Sequence, residues 1–167
     1  MEKIAKIVVP KAPFDFELTA GYHTYFQGRY GTDSLEDGVY RRLLDLDGDL
    51  VLASVHSSGT VESPQLEVEL QGRRLTEQVA DTATGAVGWL LGADQDLAPF
   101  YDLAGQDSAM AGITQRFRGL HLPHTATVFE ALVLGILGQQ ISTSVARVIR
   151  TLLIETYGPQ ENVDGEI

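Results

Sequence analysis

The sequence predicts an α+β fold, in which a small antiparallel sheet with a flanking helix is followed by a run of α-helices. Three observations carry that expectation. In "QLEVELQG" (65–72), Leu66, Val68 and Leu70 alternate with Glu67 and Glu69, the pattern of a strand with one wet face. Just upstream, "VYRRLLDL" and "LVLASVHSS" flank Asp47-Gly48-Asp49, a hairpin turn with glycine where positive φ is needed. From Leu75 onward the apolar spacing changes to three and four residues, the period of a helix.

Taken in order, "IAKIVVP" (4–10) reads as a short strand ended by Pro10. Phe14, Leu18, Tyr22 and Tyr25 or Phe26 fall at helical spacing and predict a helix over Phe14–Phe26. "GRYGTDSLEDG" (28–38) is rich in turn formers and reads as a connection. The hairpin and the alternating strand complete the sheet by residue 72. A helix follows, with Leu75, Val79, Thr82, Ala86, Trp89 and Leu90 assigned to one face and Gly92 as its stop. Asp94 or Asp96 caps the next short helix, and Asp107 caps a third. Gly119–Pro123 is a connector. Thr127 and Glu130 form a capping box at the head of a helix bearing Phe129, Leu132, Val133, Ile136 and Leu137 on one side. Gly138 stops it. The last helix starts near Ser142, is expected to bury Val145, Ile149, Leu152 and Leu153, and ends at Gly158-Pro159. The tail beyond is polar and expected to fray. The boundaries expected are 1–85 for the sheet unit and 86–167 for the helical unit.

Composition excludes several function classes. There is no cysteine among the 167 residues, so disulfides and thiolate metal sites are absent. The apolar run from Val128 to Gly138 is too short to cross a bilayer, and a cytoplasmic protein without membrane contact is expected. His121 and His124 stand three apart, but Pro123 interrupts the helix that would align their rings. Both read as connector residues, and neither metal nor cofactor is expected. No GxGxxG, GxxxxGK[ST] or GxSxG pattern occurs. The formal net charge of −11 opposes contact with phosphate. Residues 1–85 carry 14 of the 23 acidic groups, so neither unit is basic.

The feature left over is "LGQQIS" (137–142), a polar tip between two apolar helices. An αα-hairpin with its glutamines in water accounts for the break and assigns the tip no task.

The surroundings of that tip supply one. In "GLHLPHTATVFEALVLGILGQQISTSVARVIRTLLIETYG" (119–158), Leu122, Pro123, Phe129, Glu130, Val133, Ile136, Leu137, Gly138, Gln139 and Ser142 fit the pattern that opens the catalytic half of helix-hairpin-helix DNA glycosylases. The stretch closely resembles the DNA-3-methyladenine glycosylase II family. "GTDSLEDGVYRRLLDLDGDLVLASV" and "WLLGADQDLAPFYDLAGQD" resemble the same family's amino-terminal sheet and linking helices, so the likeness covers nearly the whole chain. It implies a TATA-binding-protein-like amino-terminal domain and the start of a helix-hairpin-helix domain. It also implies base excision repair, in which an alkylated base is flipped from duplex DNA and its N-glycosidic bond hydrolysed.

On that resemblance Gln140, with Gln139 beside it, fills the gap left by the extruded base and bonds the orphaned partner. Tyr22, after Gly21, is the candidate for stacking on the flipped base, an arrangement that suits electron-poor alkylated rings. Its ordinary alternative is packing on the sheet. Ser142 and Arg147 are the candidates for contact with the DNA backbone, and Arg150 is the other cation near the loop. The family's "LPG[IV]G" hairpin and its catalytic aspartate are not found in this chain. Both are expected beyond Ile167, so no catalytic residue is assigned and the chain alone is expected to be inactive. With no further helices to cover them, Trp89, Leu90, Phe100 and Phe117 are expected to be partly exposed, and residues 86–118 to favour self-association. Two rivals stay open: the oxidised-guanine branch of the same superfamily, and a non-catalytic binding module for protein or DNA.

Overall fold

The structure is a computed structural model and describes residues 1–24 and 33–161. Its five strands are β1 (Glu2–Val8), β2 (Asp33–Glu36), β3 (Val39–Leu46), β4 (Asp49–Ser57) and β5 (Leu66–Gly72). They form one antiparallel sheet in the order β1-β5-β4-β3-β2. Six helices accompany it: α1 (Phe16–Thr24), α2 (Glu77–Leu90), α3 (Ala98–Ala104), α4 (Ser108–Arg116), α5 (Val128–Leu137) and α6 (Thr143–Tyr157). The α+β class is as the sequence predicts.

The sheet's register follows from its turns. Asp47 and Gly48 both have positive φ, as a two-residue hairpin loop requires, and Leu46 pairs with Asp49 across it. Asp37 and Gly38 repeat the device, with φ of 52° and 74°, between β2 and β3. β2 is therefore a correction to the sequence reading, which took 28–38 as a connection. Asp33-Ser34-Leu35-Glu36 offers a single apolar residue, too little for a pattern, and the strand exists through pairing with β3.

The core lies on one face of the sheet. Leu44, Val51, Val55, Leu66, Val68 and Leu70 point into it, and Phe16 and Ala20 of α1 and Ala80, Ala83, Val87 and Leu90 of α2 cover them. Both covering helices are rotated from expectation. On α1 the buried residues are Phe16, Thr19 and Ala20, and Tyr22 is half exposed. The expected Tyr25 and Phe26 lie outside the described residues. On α2 the small residues face the sheet, while Thr82 and Trp89 point to solvent. A close approach to a sheet favours Ala over Trp. Leu90 is wholly buried, against the expected exposure, whereas Trp89, Phe100 and Phe117 are exposed as foreseen. Position 85 falls inside α2, which runs unbroken across it.

The connector after α4 is stitched to the sheet unit by polar contacts. His121 is fully buried, with Nδ1 2.7 Å from the Gly92 carbonyl and Nε2 3.0 Å from the Pro13 carbonyl. Its backbone N–H donates to Thr19 Oγ1. Gln95 bonds both backbone groups of Leu122, donating to its carbonyl and accepting from its N–H. Gly119, with φ of +87°, lies so close to α1's entry that an added Cβ would stand 2.6 Å from the Asp15 nitrogen.

The largest departure concerns α5 and α6. Neither helix buries a single residue. Val145, Leu152 and Leu153, expected inside, are exposed, and Ile149 is only partly covered. Phe129, Leu132 and Ile136 stand more than half exposed. Of the apolar residues that the periodicity assigned to these helices, Val133, Leu137 and Ile149 are partly covered and the rest stand open to solvent. Among the described residues no helix is long and apolar enough to cross a membrane.

Candidate functional site

The α5–α6 hairpin presents its tip by three local devices. Thr127 caps α5 by accepting from the Glu130 N–H at 3.0 Å. The reciprocal half of the box is displaced by one residue, because the Glu130 carboxylate accepts from Ala126 rather than Thr127. Gly138 closes α5, its N–H donating to the Leu134 carbonyl. Ser142 then caps α6, its Oγ accepting from the Val145 N–H at 3.3 Å. Between these stops lie Gln139, Gln140 and Ile141, all exposed.

Gln140 has φ of +56°. An L-residue with a long side chain seldom adopts that conformation, which costs about 1–2 kcal/mol. The loop thus holds a strained glutamine at an exposed tip where glycine would be comfortable. Gln139, Gln140 and Ser142 share this one loop. Arg147 is exposed on α6 beyond it. Tyr22 is 49% exposed at the end of α1, in the sheet unit, so its ring is not a core residue.

Sequence reasoning missed the polar chain that ties the hairpin to the sheet. The Asp33 carboxylate is fully buried and accepts from the Tyr40 hydroxyl. His23 Nε2 lies 3.3 Å from the same carboxylate. Arg42 Nη1 donates to Asp33 Oδ2 at 2.9 Å, and Arg42 Nη2 donates to Glu130 Oε2 at 3.1 Å. Arg150 Nη2 stands 3.6 Å from Glu130 Oε1. Charges alternate along the chain, from β2 through β3 to α5 and α6. One planar guanidinium joins carboxylates from two different elements, a task a lysine cannot copy.

The chain's electrostatics follow from its burial. Desolvation acts against the Arg42 charge, but Asp33 and Glu130 outweigh it and leave the pKa raised. Arg150 is held below its ordinary range by burial, with Glu130 and Asp33 opposing and Arg42 adding to the fall. Burial, then the Asp33 charge, pushes the Tyr40 phenol far above its usual range. A signal for the chain exists in the sequence. The period-2 alternation of β3 places Arg42 on the inner face with Tyr40 and Leu44, and an inward arginine needs a buried acid.

The two carboxylates of this chain are thereby engaged by arginines. Between α5, α6 and Asp45 lies an open cavity of about 610 Å³, walled by Phe129, Val133, Leu134, Leu153 and Tyr157 around Glu130 and Arg150. Among the described residues no cluster of His, Asp and Glu could hold a metal ion. His121 and His124 are indeed connector residues: His124 accepts from Gln95 Nε2 at 2.9 Å and packs edge-on against Trp89.

No protein-family model matches the chain. A DNA-3-methyladenine glycosylase of Bacillus subtilis (strain 168) is 34% identical over 73 residues, which is 44% of this chain and 24% of that protein. In fold, the chain is similar to a 3-methyladenine DNA glycosylase from Archaeoglobus fulgidus, with a TM-score of 0.74 and 21% identity. That match takes in 96% of this chain and 53% of the other. The chain therefore spans about half the length of its structural relative. The chain is thus similar to a 3-methyladenine DNA glycosylase in sequence across 73 residues and to another in fold across nearly its whole length, the likeness that the sequence leads one to expect.

Proposed function

We propose that this chain is the lesion-probing portion of a DNA glycosylase of base excision repair, acting on alkylated bases of the 3-methyladenine type. One observation carries the reading: Gln140 is held exposed and strained at the tip of a doubly capped hairpin, in a fold similar to that of a 3-methyladenine DNA glycosylase. In this reading Gln140 enters the duplex in place of the extruded base, and Gln139 stands beside it. Ser142 and Arg147 serve the backbone, Ser142 in addition to capping α6. The half-exposed Tyr22 ring offers a stacking face, and the sheet unit plays the TATA-binding-protein-like part.

No residue of the chain is assigned to bond cleavage. The buried Asp33 and the partly buried Glu130 are held by Arg42, and neither is free to support a cationic sugar. The 167-residue chain is therefore expected to bind lesion-containing duplex weakly and to release no base. Its acidic character agrees with weak binding, since a net charge of −11 opposes contact with phosphate. The test is an excision assay on alkylated duplex DNA, run beside a binding assay on duplex containing an abasic analogue. Robust base release by this chain would overturn the assignment of cleavage elsewhere. In the complete enzyme, Gln140→Ala should weaken abasic-duplex binding by about 1–3 kcal/mol, the range of stacking contacts. Unchanged affinity would return the loop to a plain helix connection.

A second reading concerns association. Phe100, Leu103, Met110, Ile113 and Phe117 are exposed on and beside α3 and α4. In the isolated chain this face should meet its like in a second copy.

A further inference from the structure

We propose that Glu130 is the docking anchor of the loop-bearing hairpin, fixing how α5 and α6, and with them Gln140, stand relative to the sheet. The inference rests on the reading of Gln140 as a probe, because orientation matters only if the tip must meet a duplex.

The argument begins with what is lacking. A helix normally holds its place by burying an apolar stripe. α5 and α6 bury no residue, so hydrophobic packing does not key them to the sheet. The connector before α5 is anchored, by His121, by Gln95 and by the Trp89 indole N–H donating to the Thr125 carbonyl. That fixes where the hairpin begins, and beyond the end of α6 Glu161 pairs with Arg73 of the sheet unit. Neither contact lies on α5 or α6, so the direction of the helices needs a point of attachment on the hairpin itself.

Glu130 supplies that point with two hydrogen bonds and an ion pair. One carboxylate oxygen accepts from Arg42 of β3 and from the Ala126 N–H, and the other faces Arg150 of α6. A single side chain thus touches the sheet, the entry of α5 and the third turn of α6. The partner on the sheet is itself immobilised: Arg42 is 8% exposed and held by the fully buried Asp33, which Tyr40 also donates to. Partly buried ion pairs of this kind contribute little net stability, and their best-attested use is to choose one arrangement among several. Glu130 is a positioning residue; it has no role in bond cleavage.

The test exploits the lack of cysteine in the chain. Ser57→Cys on β4 and Gly135→Cys on α5 introduce two exposed sites for spin labels, and a Cβ at Gly135 meets nothing within 4 Å. The parent should give one narrow distance distribution between them. Adding Glu130→Gln should broaden it or split it, with far-UV circular dichroism unchanged. Arg150→Met, which leaves the Arg42 bond and the α5 entry intact, should broaden it less. If Glu130→Gln melts α5 in the dichroism spectrum, Arg42→Gln replaces it, since Glu130 then still bonds Ala126.

Abasic-duplex affinity is measured on the same variants. If the docked pose falls to about a tenth of the population, the apparent Kd rises about tenfold. An unchanged distance distribution overturns the anchor, whatever the affinity does. Broadening with unchanged affinity supports the anchor and removes the DNA-probe reading instead.

Discussion

At the scale of the residue, the loop tip separates conformation from chemistry. Gln140 occupies backbone space that glycine enters freely. Gln140→Gly should therefore raise stability by about 0.5–1 kcal/mol, seen as a higher Tm, while abolishing the contribution of the side chain to abasic-duplex binding. A fall in both would mean that the amide also holds the loop together. Gly119 is the converse case, because its Cβ would collide with the backbone at Asp15. Gly119→Ala should cost more than about 1 kcal/mol in denaturant unfolding. Asp33→Ala should cost about 3–5 kcal/mol by the same measurement, since it leaves the Arg42 guanidinium in a buried site without its main counter-charge. Of these residues, the glutamines were legible in the sequence through their surroundings. The alternation of β3 carries the inward place of Arg42, but its partner Asp33 was not legible, because the two become neighbours only once β2 is known to pair with β3.

Elements were legible in proportion to their periodicity. β3, β4 and β5 and the caps Asp107 and Thr127 were placed from pattern alone, and each cap makes the bond its residue type predicts. β2 escaped because four residues with one apolar side chain carry no period. The face of α2 was misjudged because Thr82 and Trp89 were set on one side with Leu75, Val79 and Leu90, when a helix lying close to a sheet turns its alanines inward. α4 offers a titration at this scale. The Met110 and Ala109 N–H groups hold the Asp107 carboxyl below its usual range. A carboxylate lowered on folding stabilises above its unfolded pKa, about 3.9, and that help is lost as pH falls through the folded value. Helicity followed by circular dichroism during acidification should therefore show α4 fraying below about pH 4, with Asp107→Asn shifting the loss out of that window. A titration identical in the variant would show that the cap does not govern α4.

For the whole molecule, the apolar faces give the clearest expectation. An amphipathic pattern states which side of a helix wants cover and says nothing of what provides it, which is why burial on α5 and α6 was misread while the helices themselves were not. If residues 86–118 pair between copies, sedimentation velocity should show a concentration-dependent shift toward dimer that Leu103→Ser, at a residue 69% exposed, reduces. A monomer at all concentrations in the parent chain would remove the association reading and leave the glycosylase reading untouched. The sheet unit should be indifferent to that substitution, since its core is closed by α1 and α2.

Trp89 is the sole tryptophan, and its indole sits on the His124 ring and on the Thr125 carbonyl where the sheet unit meets the entry to α5. The molecule consequently carries an intrinsic fluorophore at its own joint. A change in its emission at denaturant concentrations that leave the strand signal intact would time the release of the joint separately from the melting of the sheet, with no label attached.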